Sequence, residues 1–176
     1  MKSKKPKNLG DIRNAKRDLK FAASEMFFLE HQHPYIAVTV SVAVLEELLK
    51  SRIEERLVNS DNELQNSMFG SPQGFATSFS AKIELAFALG VFGVESRTDL
   101  HNIRRVRNIM AHNSTIVEFS DPAIVNVCRS LHIVKQKLTS LTIEELPSLK
   151  LFCLAVGHLA GGLSKPPIGY EIPPMA

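Results

Sequence analysis

The chain has 176 residues, 44% of them hydrophobic and 22% charged, a balance that excludes disorder over most of the length and suits one folded unit with its own core. The formal charge of +3 is local, because residues 1–7 carry Lys2, Lys4, Lys5 and Lys7 and no acid, and without them 17 basic side chains face 18 acidic ones. A body near −1 lacks the basic excess with which a domain grips duplex DNA unaided, so no direct sequence-specific DNA contact is expected of the chain acting alone.

Residues 1–10 read as a flexible basic arm. Residues 11–163 read as one helical domain, and residues 164–176 as a proline-rich tail in which Pro166, Pro167, Pro173 and Pro174 forbid a helix. Asp11 is placed to cap a first helix running to about Gln32, with Leu19, Ala22, Met26 and Leu29 in its apolar stripe. Pro34 opens a second segment. Its start, Ile36 to Val44, alternates like a strand and is rich in β-branched residues, yet it continues without a break into the helix formers Leu45–Leu57. One long buried helix is expected there, with Glu46 and Lys50 paired at i,i+4.

Ser60 or Asp61 can cap a short helix ending near Met68. Phe69–Ser80 reads as a loop, punctured by Gly70, Pro72 and Gly74, with hydroxyls at Thr77, Ser78 and Ser80 available as caps. Helices are then expected over Ala81–Leu89 (stopped by Gly90), over Arg97–His112 and over Pro122–Leu138 (capped by Asp121). A last helix is expected over Ile143–Leu163, with Pro147 in its first turns and the Gly161-Gly162 pair at its end. No strand pattern survives, so the class is all-α, a bundle of six to seven helices.

Several chemistries find no support. The apolar tracts Tyr35–Leu45 and Leu151–Leu163 fall short of the ~20 residues a spanning helix needs. The polar stretch after the basic N-terminus is unlike a secretory leader, and a cytoplasmic location is expected. Cys128 and Cys153 lack metal or disulfide spacing and read as reduced, buried thiols. His31-Gln-His33 has no third ligand nearby, Gly70-Ser-Pro-Gln-Gly74 lacks the Lys and spacing of a phosphate loop, and His158 reads as a core or interface histidine. Neither a metal nor a cofactor is expected.

The helix over residues 97–112 carries most of the functional signal. On a 100° wheel Leu100, Ile103, Val106, Ile109 and Met110 share one side. The opposite side, with Arg97, His101, Arg104, Arg105 and Asn108, is the candidate interaction surface. Arg107 lies at the boundary, where its stem can fold over the core while the guanidinium reaches a partner or a cleft, or else pairs with a carboxylate such as Glu46, Glu47 or Glu84. Arg107-Asn-Ile-Met-Ala-His112 resembles the R-x(4–6)-H pattern of HEPN ribonucleases and toxins. That resemblance implies an alternative in which Arg107 stabilises a phosphorane and His112 moves a proton. In a regular helix, however, the two residues point about 140° apart.

A wider resemblance rests on Ser78-Phe-Ser-Ala-Lys-Ile-Glu-Leu-Ala-Phe-Ala-Leu-Gly90, on Asp99-Leu-His-Asn-Ile-Arg-Arg-Val-Arg-Asn-Ile-Met-Ala-His112, and on Phe119-Ser-Asp-Pro122 with Val127-Cys-Arg-Ser-Leu131. In order and spacing these segments resemble the mannitol operon repressor (MtlR) family over roughly residues 20–140. The resemblance implies an all-helical bundle that represses a sugar-alcohol uptake operon through protein partners, without a DNA-binding motif or catalysis. The amount of apolar helix surface leads us to expect a homodimer.

Overall fold

A computed structural model describes residues 33–57, 61–70, 74–112 and 117–164. The basic arm, the helix expected over 11–32 and nearly all of the proline-rich tail lie outside the described residues. Among the described residues every regular element is helical: α1 (Pro34–Arg56), α2 (Asn62–Gln65), α3 (Phe79–Ala88), α4 (Val94–His112), α5 (Pro122–Ser130), α6 (His132–Lys137), α7 (Ser140–Glu145) and α8 (Ser148–Leu163). No helix among them is long and apolar enough to cross a membrane.

The valine run is helical, as expected. Its alternation hides a second period, because Ala37, Val38, Ser41, Val42, Leu45, Leu49, Arg52 and Ile53 are buried and recur at helical spacing. Burial of each Val or Leu contributes roughly 1.5–3 kcal/mol, which outweighs the few tenths by which β-branching disfavours a helix. Pro34 occupies the first helical position, where no N–H is needed, and His33 accepts the N–H of Tyr35 through Nδ1 at 3.4 Å.

Asp61 caps α2 by accepting the Leu64 N–H at 2.7 Å, and the helix widens into a π turn over Asn66–Gly70. Gly74 then passes so close to the Met68 carbonyl that a Cβ would sit 2.7 Å from it, which leaves room for glycine alone. Ser78 caps α3 by accepting the Ala81 N–H at 3.1 Å. At the far end Gly90, with φ of 67°, closes a Schellman motif: its own N–H reaches the Phe87 carbonyl at 2.9 Å, and the Val91 N–H reaches that of Ala86 at 3.0 Å.

The helix expected over Pro122–Leu138 is divided at Leu131, whose ψ of 130° is extended. The cause lies 33 residues before His132. Asp99, 1% exposed, accepts the backbone N–H of His132 at 2.8 Å through one oxygen and that of Ile133 at 2.9 Å through the other. The same first oxygen lies 3.1 Å from His132 Nδ1. A side chain on α4 thus caps α6, whose preceding residue Leu131 has no side-chain oxygen to offer. The last expected helix is also divided. Thr139 caps α7, the chain extends at Leu146, and Pro147 becomes the residue that launches α8. Gly161 and Gly162 lie inside α8 rather than ending it, since Leu159, Ala160 and Leu163 around them are buried. These two divisions raise the helix number to eight among the described residues.

α4 is the central rod, packed against α1, α3, α5, α6 and α8, while α1 also packs on α3 and α8. Leu45, Leu49 and Ile53 of α1 meet Ile83, Leu100, Ile103, Ile124 and Phe152 in one core where each is fully buried. Phe119 meets Phe152 edge to face, centroids 5.5 Å apart. The two chain-distant helices are also joined by a polar link, in which Arg52 of α1 donates through Nε to the carbonyl of Leu163, the last residue of α8, and pairs with Glu55. Cys128 and Cys153 are free and buried. His158, expected in the core or an interface, is exposed.

Candidate functional site

Residues 97, 101, 104 and 108 recur at i, i+4, i+7 and i+11, so they form one narrow stripe along α4. The structure divides that stripe into two halves with different surroundings.

The N-terminal half is tied to α3. Arg97 straddles Glu84, with Nε at 3.1 Å from Oε1 and a second guanidinium nitrogen on Oε2, and His101 Nε2 lies 2.7 Å from Oε1. The Arg97 guanidinium also stands 4.7 Å from the centroid of the Phe87 ring. Arg97 beside it, and then His101, hold the Glu84 carboxyl below the usual carboxylate range. This cluster fastens α3 to α4 and uses up the charges that compose it. Arg105 flanks the stripe and is exposed.

The C-terminal half opens on a cleft. Arg104, Arg107 and Asn108 of α4 form one wall, Thr77, Ser78, Phe79 and Ser80 at the start of α3 form another, and Glu46 of α1 closes the space, about 380 Å³. A second cavity of about 440 Å³ shares Glu46 and Arg107 and runs along α1 past Thr39, Ala43, Glu47 and Lys50 towards Phe69 and Lys82. Together the two spaces lie within the size range of small-molecule sites.

Arg107 does not take the buried, carboxylate-paired place expected of it. It is exposed, and its guanidinium donates to Oδ1 of its neighbour Asn108 at 3.1 Å. The three expected acids are otherwise disposed. Glu84 holds Arg97 and His101. Glu46 accepts from Lys82 Nζ at 2.9 Å, which also donates to the Thr77 carbonyl at 3.0 Å, and Glu47 is exposed. The Glu46–Lys50 pair expected along α1 gives way to this contact, and Lys50 lies over the Phe69 ring at 5.7 Å. Lys82 is 8% exposed, so its ammonium is a fixed part of the cleft wall. The backbone of α4 remains helical through His112.

Arg104 carries the one polar anomaly of the cleft. Its Nε is fully buried and has no hydrogen-bond partner among the described residues, a state that costs roughly 1–3 kcal/mol. Beside it, the first-turn N–H groups of α3 at Phe79 and Ser80 have no intrahelical carbonyl to reach. Chemically the cleft offers guanidinium groups, an amide, hydroxyls and an acid already balanced by a lysine. It has no nucleophile paired with a base, and among the described residues no three His, Cys, Asp or Glu side chains gather where they could hold a metal.

Arg104 and Asn108 were readable from the wheel as members of a polar face. Lys82 and Glu46, 36 residues apart, carry no local signal of their pairing. Asp99, by contrast, falls in register with the buried Ile103, Val106 and Met110, a carboxylate on the apolar face that marks itself by period but does not name its partner.

Curated proteins provide no match to the chain. The profile of the family described as Mannitol repressor matches residues 29–150. That span contains α1 to α7, the Glu84 cluster and both walls of the cleft. With more than half of its length matched, the chain belongs to the mannitol repressor family.

Proposed function

We propose that the chain represses transcription of a sugar-alcohol uptake operon of the mannitol type, and that it does so through protein partners and without catalysis. The observation that carries the reading is the family match over residues 29–150. The charge of the body supports the partner-dependent route, since 17 basic and 18 acidic side chains leave no excess for phosphates. The helix pair α5–α6 is also a poor reader of DNA. A single residue, Leu131, joins its members and α6 has six residues, whereas a helix-turn-helix uses a turn of three to four residues and a recognition helix laid in the major groove.

Deletion of the gene should raise the operon transcript in the absence of inducer, and complementation should restore repression; an unchanged transcript overturns the reading. Purified protein should not shift operator DNA specifically at physiological salt, and a specific shift without any partner would refute the indirect mechanism. Incubation with RNA in EDTA should give no cleavage; cleavage lost in both Arg107→Ala and His112→Ala would establish the ribonuclease instead. The expected homodimer is supported by Tyr35, Ile36 and Val40, large apolar side chains exposed on the first two turns of α1. Sedimentation showing monomer alone at micromolar concentration would refute it.

A further inference from the structure

We propose that the cleft between α1, α3 and α4 binds the phosphate monoester of a small polyol. The phosphate half of the proposal stands on the cleft's own chemistry, and the polyol half rests on the proposed repression of a sugar-alcohol operon. Two guanidinium groups, Arg104 and Arg107, converge on a space of about 380 Å³, and neither has a carboxylate partner among the described residues. Arg104 lines this space, and its Nε has no hydrogen-bond partner among the described residues. Arg107 is exposed on the same wall, bonded only to Asn108 among the described residues, and its planar fork can turn onto an oxyanion.

Ser78 and Ser80 line the same cavity. Ser78 Oγ already accepts the Ala81 N–H, so its own proton is available to donate. The one acid in this wall, Glu46, is balanced by the buried Lys82 at 2.9 Å, so the local excess is positive and selects an anion. The adjoining space changes character. Thr39, Glu46, Glu47 and Lys50 line it beside Phe69, a mixture of acceptors and donors suited to several hydroxyl groups. A phosphate at the arginines would place a hydroxylated chain towards Glu46 and Glu47 of α1, which line the adjoining space.

The test is titration calorimetry of the whole chain with three probes, inorganic phosphate, a hexitol and the same hexitol's monophosphate, each up to 10 mM. The monophosphate should bind at least tenfold more tightly than either fragment. Arg107→Gln, at an exposed position that folding does not need, should weaken that binding at least tenfold, Arg104→Gln should do the same, and Arg129→Gln on α5 should leave it unchanged. Circular dichroism confirms that each variant is folded. Absence of binding by the monophosphate overturns the proposal, as does equal affinity for inorganic phosphate and the ester. Binding that survives Arg107→Gln in a folded protein overturns it as well, since the anion would then lie elsewhere. The operon transcript is not a readout here, so failure of the site and failure of the repressor reading are separately visible.

Discussion

Replacing Asp99 by alanine tests the account of how α6 is held. The carboxylate accepts two backbone N–H groups, at 2.8 Å from His132 and 2.9 Å from Ile133, in a site where Asp99 is 1% exposed. Hydrogen bonds to a charged acceptor contribute about 1.5–3 kcal/mol each, so losing both, and orphaning two donors at the start of a helix with no cap of its own, should destabilise the fold by about 3–5 kcal/mol. For a chain of this size 1 kcal/mol shifts Tm by roughly 2–4 °C, so the expected fall is about 10 °C. Asp99→Asn keeps one acceptor and turns an NH2 towards the other N–H, so its loss should be about half as large. Calorimetry or thermal circular dichroism reads both, and hydrogen exchange should show the His132 and Ile133 amides losing protection in the alanine variant. A Tm within about 2 °C of wild type would refute the reasoning.

Arg107→Ala should change stability by no more than about 0.5 kcal/mol, as for other exposed residues; a loss of several kcal/mol in thermal unfolding would mean that a buried partner had been overlooked. Burial, reinforced by the neighbouring Cys153, pushes the Cys128 thiol up to about 12, so a thiol reagent at pH 8 should leave it unlabelled in the native protein and modify it only after unfolding. Native labelling within minutes would contradict this. Arg97 and His101 lower the folded pKa of Glu84, so its contribution to stability is fully present above its ordinary value of 4.5 and is lost as pH falls through the depressed folded value. Wild type should therefore melt slightly above Glu84→Gln at neutral pH, by at most about 3 °C for so exposed a group, and the gap should close below pH 4.5. A gap that widens on acidification would reverse the assignment.

The parts of the fold legible in sequence are those whose causes are local. Asp61, Ser78 and Asp121 cap helices two or three residues away, and Leu100, Ile103, Val106 and Met110 are buried as their period requires. The breaks at Leu131 and Leu146 were not legible for different reasons. Leu131 is stopped by Asp99 from another helix, a tertiary cause that no window of sequence contains. Pro147 was visible, but its ring suits the start of a new helix as well as the first turns of an old one, and Thr139 had already capped an earlier turn. The same distinction applies to the cleft. Arg104 and Asn108 announce themselves by helical period, whereas the exposed state of Arg107 follows from Lys82 having claimed Glu46 and from Arg97 having claimed Glu84.

The link from Arg52 to the Leu163 carbonyl joins residues 111 positions apart, and it lies in the seam where α1 meets α8. During synthesis, at about 5–20 residues per second, α1 therefore waits roughly 6–22 s for the helix that covers it. Through that interval Val38, Val42, Leu45 and Leu49 present a long apolar face without its final partner. A nascent chain of this kind is a ready client for ribosome-bound chaperones, and a chain truncated before residue 148 would leave that face covered, among the described residues, by α3 and α4 alone, with aggregation or rapid degradation as the consequence.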